Sequence, residues 1–271
     1  MNIDLNHTIN SGQVFLWEKR GSAWYGINGN QIIITSTKIT KKHFKFFRKD
    51  DNTSRIIKDI SKDVRVLKAV NAYPGLSLLR QDPFQCLISF ITSSNSNIPR
   101  IRHTLQNLCK TFGKVDTYKN ERFHLFPQAD ILADATESEL LKCGLGYRAP
   151  FVKSAAQDIA TNRINFKSLA KSNYKITQDA LISIDGVGCK VADCVMLFSL
   201  DKLDAFPIDR WTMQILNKYY SKKISLSESS LTTTRYMNYH DMIVKYFGIY
   251  CGYAQQYLFK LERDQQNRKW L

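Results

Sequence analysis

The segment from Thr177 to Trp211, TQDALISIDGVGCKVADCVMLFSLDKLDAFPIDRW, leaves fewer folding options than any other part of the chain. Ala180, Leu181 and Ile184 give a short helix one apolar face. Asp185-Gly186-Val187-Gly188 interrupts it, and Val191, Val195 and Phe198 form the stripe of a second helix. The segment therefore reads as two short helices about a Gly-x-Gly turn. Glycines there let backbone N–H groups approach an anion closely, at a helix end with positive dipole character. By itself such a turn is also an ordinary helix connection, so the surrounding residues carry the argument.

Two of them are Lys190, in the first turn of the second helix, and Asp209, at the start of the next one. A cation in a first turn faces the positive end of the dipole, which works against the protonated form. That suits an amine nucleophile, which attacks as the neutral species. A carboxylate at a helix start is held ionised by the same dipole. Geometry lets the two meet. Helix 189–200 rises about 18 Å, and the link 201–208 can extend back about 26 Å. Singly, Asp209 reads as a helix cap and Lys190 as a surface lysine. Together, beside the turn, they read as a reactive pair.

The rest of the chain frames this segment. Lys and Arg number 39 against 24 Asp and Glu, a net charge of +15. Such an excess concentrates polyanions, of which nucleic acid and anionic membrane surfaces are the common ones. No run of eighteen apolar residues is present, and Met1-Asn2-Ile3-Asp4-Leu5 has neither the basic nor the apolar region of a secretory signal. The six cysteines, Cys86, Cys109, Cys143, Cys189, Cys194 and Cys251, form no CxxC pair. The expectation is reduced thiols in a cytoplasmic or nucleoid setting, or a nuclear one in a eukaryote, without disulfides or a metal site.

Strands are expected near the start: one at Val14–Trp17, and a pair at Trp24–Ile27 and Gln31–Thr35 joined through Asn28-Gly29. Helical spacing begins near Thr53, and Tyr73-Pro74-Gly75 breaks it. Asp82-Pro83 then opens a helix carrying Phe84, Leu87, Ile88 and Ile91. Further helices are expected near 98–112, 137–143, 149–161, 177–184, 189–200, 209–219 and 240–263. The predicted fold is α+β, a small N-terminal antiparallel sheet unit (1–76) followed by a larger all-helical body (77–271).

GVGCKVADC (186–194) followed by Pro207-Ile208-Asp209 resembles the helix-hairpin-helix DNA glycosylases of the HhH-GPD superfamily, in their 8-oxoguanine branch. Ser11-Gly12-Gln13 with Phe15 and Trp17 is similar to that branch as well. So are LLRQDPFQCLISFITSSNSNI (78–98), CGLGYRAPFV (143–152) and YAQQYLF (253–259), collinear over most of the chain. The resemblance implies a bifunctional glycosylase and lyase that flips 8-oxoguanine, preferably opposite cytosine, out of duplex DNA in base excision repair. Lys190 would attack C1′ and form a Schiff base, and Asp209 would stabilise the oxocarbenium-like charge. The Gly12 carbonyl would accept the N7 hydrogen that guanine lacks. Gln255 would bond the Watson–Crick edge, with Phe259 and Cys194 sandwiching the base. Asn95, Arg100 and Arg148 would hold the orphaned cytosine beside a Tyr147 wedge. Gly186 and Gly188 would meet the DNA backbone.

The resemblance implies no organic cofactor, a monovalent cation at the hairpin carbonyls, and a monomer acting on double-stranded DNA. Three departures stand out: Trp211 where the eukaryotic branch has His, Ser96 within the asparagine run, and Pro99 after it. The link between Tyr220 and Tyr236 is also short. Rival classes fit less well. A water-activating alkyladenine-type enzyme has no need of Lys190, and only Cys251 follows Cys194, which leaves no four-cysteine iron–sulfur loop. A non-catalytic DNA-binding hairpin explains the charge but not Lys190 with Asp209.

Overall fold

In a computed structural model, residues 2–36, 39–224 and 231–266 are described. Part of the short link after Tyr220 (225–230), like Met1, lies outside them. The antiparallel sheet has the order β1 (Trp17–Arg20), β2 (Ala23–Asn28), β3 (Gln31–Thr35). β2 and β3 pair from Trp24 opposite Thr35 to Asn28 opposite Gln31, so the turn is Gly29-Asn30, one residue later than expected. Val14–Leu16 is not strand: Val14 packs into a small core under the sheet, while Phe15 and Leu16 enter the main one. A segment threading between two cores is apolar on both sides without sheet pairing.

Alternation sorts the sheet's faces. Trp17, Trp24 and Ile33 face Phe46, Phe47 and Leu79, and Trp17 stacks on Phe46 at 5.6 Å. Tyr25, Ile27 and Ile32 face the helical body. Short α1 (Leu5–Ile9) joins the small core through Ile9, whereas α2 (Thr53–Ile60) and α3 (Val64–Ala72) pack on the last helix of the body. Arg48 ties this unit to the body: nearly fully buried, it pairs with Asp201 at 2.7 Å and reaches the Leu197 carbonyl at 3.4 Å.

The body runs α4 (Pro83–Ser93), α5 (Ile98–Phe112), β4 (Val115–Tyr118), β5 (Glu121–His124), α6 (Ala129–Asp134), α7 (Glu137–Lys142), α8 (Ala149–Ala160), α9 (Phe166–Lys171), α10 (Tyr174–Ile182), α11 (Cys189–Ser199), α12 (Arg210–Tyr220), α13 (Thr233–Phe247) and α14 (Cys251–Gln265). Asp82 caps α4 by accepting from Gln85 N at 2.9 Å, with Pro83 in the first turn, as the sequence predicts. Residues 84–92 are all buried, so α4 is the central rod of the body, against which α11, α8 and α5 pack. Each fully buried Leu or Ile there contributes about 1.5–3 kcal/mol.

Four features of the body depart from expectation. The helix predicted over 240–263 is two, α13 and α14, broken at Gly248 with φ +81°. The β4–β5 hairpin and the short α6 and α9 also stand where no element was expected, so the body is not wholly helical. The six cysteines are free thiols. Among the described residues, no helix is long and apolar enough to cross a membrane.

Candidate active site

Two helical stripes of identical spacing face each other across a cavity of about 160 Å³. α11 supplies Lys190, Cys194 and Phe198, and α14 supplies Gln255, Phe259 and Arg263. Each set steps by four residues, which stacks side chains on one helix face. Asp209 enters from the start of α12, Phe90 and Ser93 from the end of α4, and Ser11 and Gly12 from the loop after α1. The link 201–208 thus does return, and Lys190 and Asp209 line one cavity. Six sequence-predicted residues meet in it: Gly12, Lys190, Cys194, Asp209, Gln255 and Phe259.

The loop carrying Gly12 is clamped from both ends of the chain. Fully buried Gln13 donates to the carbonyls of Thr8 (3.1 Å) and Ser77 (3.0 Å) and accepts from Leu79 N at 2.8 Å. From α14, Gln256 donates to the Ser11 carbonyl at 2.9 Å and Arg263 to that of Asn10. Gly12 itself sits at φ +91°, where L side chains are strained. A Cβ there would come within 3.2 Å of Arg263 Nη1 and 3.4 Å of the Phe259 ring. Sequence reasoning quoted Gln13 without giving it this task and passed over Arg263. The four-residue step from Phe259 was the available signal for Arg263.

Lys190 Nζ lies 3.4 Å from Ser93 Oγ and 5.2 Å from the centre of the Phe90 ring, which stacks on Phe198. Asp209 caps α12, accepting from Thr212 N at 2.7 Å. Cys194 brings a thiol to the cavity wall, and burial pushes it up to about 12, with Lys190 pulling the other way. It remains a neutral, polarisable wall at neutral pH. Gln255 donates to Thr212 Oγ1 at 3.4 Å, while its Oε1 is buried without a partner. An orphaned acceptor costs about 1–3 kcal/mol, recovered when a ligand donor arrives.

The other predicted residues lie outside the cavity. Asn95, at φ +49°, and Arg100 are exposed around the start of α5. Tyr147 is 58% exposed and donates to the Ser94 carbonyl at 3.4 Å. Arg148 is buried and donates to the carbonyls of Ser94 and Asn95, with its guanidinium 4.4 Å from the Tyr147 ring centre. Tyr147 and Arg148 therefore gather on the Ser94-Asn95 turn, with Arg100 just beyond it in the first turn of α5. In the hairpin between α10 and α11, Gly186 has φ +78°, and its absent side chain would strike Phe151. Gly188 is exposed, has ordinary φ and faces open space.

Residues 88–235 match the HhH-GPD superfamily of base excision DNA repair proteins. The N-glycosylase/DNA lyase OGG1 of Arabidopsis thaliana is 31% identical over 96% of this chain and 77% of its own length. This chain belongs to that family. The N-glycosylase/DNA lyase of Saccharomyces cerevisiae is 30% identical over 80% of this chain and 65% of its own. A solved structure of the Clostridium acetobutylicum 8-oxoguanine glycosylase/lyase, with duplex DNA containing cytosine opposite 8-oxoguanine, superposes with TM-score 0.87. The two chains are 29% identical, over 98% of this one and 93% of the other. As an N-glycosylase/DNA lyase of the HhH-GPD superfamily, the protein is a base excision repair enzyme.

Proposed function

We propose that this glycosylase/lyase removes 8-oxoguanine, preferably opposite cytosine, and then cuts the strand by β-elimination. The observation that carries the reading is the convergence of Lys190 and Asp209 with Gly12, Cys194, Gln255 and Phe259 on one cavity. The flipped base lies between Cys194 and Phe259, its N1 and N2 hydrogens on the orphaned Gln255 Oε1 and its N7 hydrogen on the Gly12 carbonyl. Guanine has no hydrogen at N7 and would leave that carbonyl without a donor. The Lys190 amine attacks C1′ through its nitrogen lone pair, and the glycosidic bond breaks with its electron pair leaving on the base, which takes up a proton. Asp209 lowers the energy of the positive charge that develops on the sugar. Ring opening gives a Schiff base to Lys190. Loss of a C2′ proton then expels the 3′-phosphate, and water returns the free amine.

Around this centre, Asn95 and Arg100 contact the orphaned cytosine. Arg148 contributes by fixing the carbonyls that orient Asn95, and Tyr147 fills the gap in the stack. Gly186 and Gly188 bring hairpin N–H groups to the DNA backbone, where the hairpin carbonyls suit a monovalent cation. The chemistry needs no organic cofactor. One copy supplies the whole residue set, so the enzyme acts as a monomer.

The test incubates wild type and Lys190→Gln with a duplex holding one 8-oxoguanine opposite cytosine, with and without borohydride. Strand cleavage and a trapped protein–DNA adduct are expected from wild type only. Base release without trapping would overturn the Schiff-base assignment, and an intact base with wild type would overturn the substrate.

A further inference from the structure

Of the charged residues lining the cavity, Lys190, Asp209 and Arg263, the last is left unused by the reaction above. It is 7% exposed, its Nη2 donates to the Asn10 carbonyl, and its Nε lies 3.6 Å from Asp264. Nη1 is buried without a hydrogen-bond partner beside Gly12, and the guanidinium carbon lies over the Phe259 ring, 5.7 Å from its centre. A guanidinium hydrogen with no acceptor in a substrate cavity calls for one from the substrate. Long helical side chains lean towards the helix N-terminus, which sends Arg263 back over Phe259 towards Gln255.

The order of groups around the purine ring says which acceptor this is. Resting on the 8-oxoguanine reading, Gln255 takes the N1 edge and the Gly12 carbonyl takes N7. The one exocyclic group between N1 and N7 is that on C6, a carbonyl oxygen in every guanine and an amino group in every adenine. We propose that Arg263 is a specificity-determining residue that donates from Nη1 to O6 of the flipped base. Gly12 then reports oxidation at C8, and Arg263 reports that the oxidised base is a guanine. An 8-oxoadenine would satisfy the Gly12 carbonyl but set an amino group against the guanidinium. A site built to bond one group rejects an analogue that cannot supply it.

The experiment compares wild type, Arg263→Met and Arg263→Lys on duplexes holding 8-oxoguanine, 8-oxoadenine or an abasic site. All rates are normalised to abasic-strand cleavage by the same preparation, which corrects for misfolded protein. A hydrogen bond to a charged group corresponds to about 10- to 100-fold in rate. Arg263→Met is expected to lose that factor on 8-oxoguanine and less than threefold on 8-oxoadenine, narrowing the preference at least about threefold. Arg263→Lys, which keeps a charged donor, is expected to recover part of it. Equal losses on the two bases would overturn the proposal, placing the contact at O8 or reducing the residue to a loop clamp. So would no loss on either. A wild type that cleaves abasic strands but leaves 8-oxoguanine intact would instead overturn the substrate reading beneath it.

Discussion

The two glycines of the hairpin are expected to fail for opposite reasons. An alanine Cβ at position 186 would lie 2.4 Å from Phe151 Cγ, and 2.7 and 2.9 Å from Phe151 Cβ and Cδ2, all inside contact distance. Its φ of +78° adds backbone strain of about 1–3 kcal/mol. Overpacking against the ring adds about 1–3 kcal/mol more. Gly186→Ala should therefore cost about 2–6 kcal/mol of folding stability. At Gly188 an added Cβ meets nothing within 4 Å, and φ is −94°. There the loss of a preferred cap glycine, about 0.5–1 kcal/mol, offsets the similar gain from a stiffer unfolded chain. Gly188→Ala should fold like wild type. Its methyl would instead stand between the helix N-terminus and a phosphate, weakening duplex binding about 10- to 100-fold. Urea unfolding gives the first quantity, and fluorescence anisotropy at fixed salt gives the second. The cycle with Phe151→Ala should recover the overlap at position 186 but not the φ strain. If Gly188→Ala is destabilised as much as Gly186→Ala, or binds duplex as wild type does, this division of labour is wrong.

Three further outcomes follow from the site. Asp209→Asn keeps a good cap, so stability should change by less than about 0.5 kcal/mol while base excision falls at least about 100-fold; equal loss of both would make Asp209 a cap only. Gln13→Ala leaves the Ser77 carbonyl and Leu79 N without partners, while the Thr8 carbonyl keeps its bond from Ser11 Oγ. At about 1–3 kcal/mol for each of the two orphaned groups it should cost at least about 2 kcal/mol in urea unfolding. Burial pushes the Cys109 and Cys194 thiols up to about 12, so alkylation of native protein at pH 8 followed by peptide mapping should find both unmodified. Rapid labelling of Cys194 would show an open, ionised wall.

The sequence was most legible where a short-range cause acts. Asp82-Pro83 starts α4 through a side chain three residues from its partner, and the Gly-Val-Gly turn ends one helix and begins the next. The cavity set was legible through resemblance, since Gly12 and Gln255 meet only in three dimensions. What escaped had weak local marks. In the β4–β5 hairpin only Phe123 is buried, and the turn uses Lys119 and Asn120, both at positive φ, without glycine. α9 buries only Leu169, too few positions to show a period. The break at Gly248 was hidden because Tyr246, Phe247 and Tyr250 keep the apolar spacing running across it. Arg263 escaped because a charged residue near a helix C-terminus usually reads as solvated.

The loop that carries Gly12 is held by residues 245 and 253 positions further along the chain. During synthesis the hairpin, Lys190 and Asp209 leave the ribosome before α14 exists. A chain of that length carries Lys190 and Asp209 without the α14 side of the cavity. The cavity is thus completed only when the two distant segments of the polypeptide close on each other.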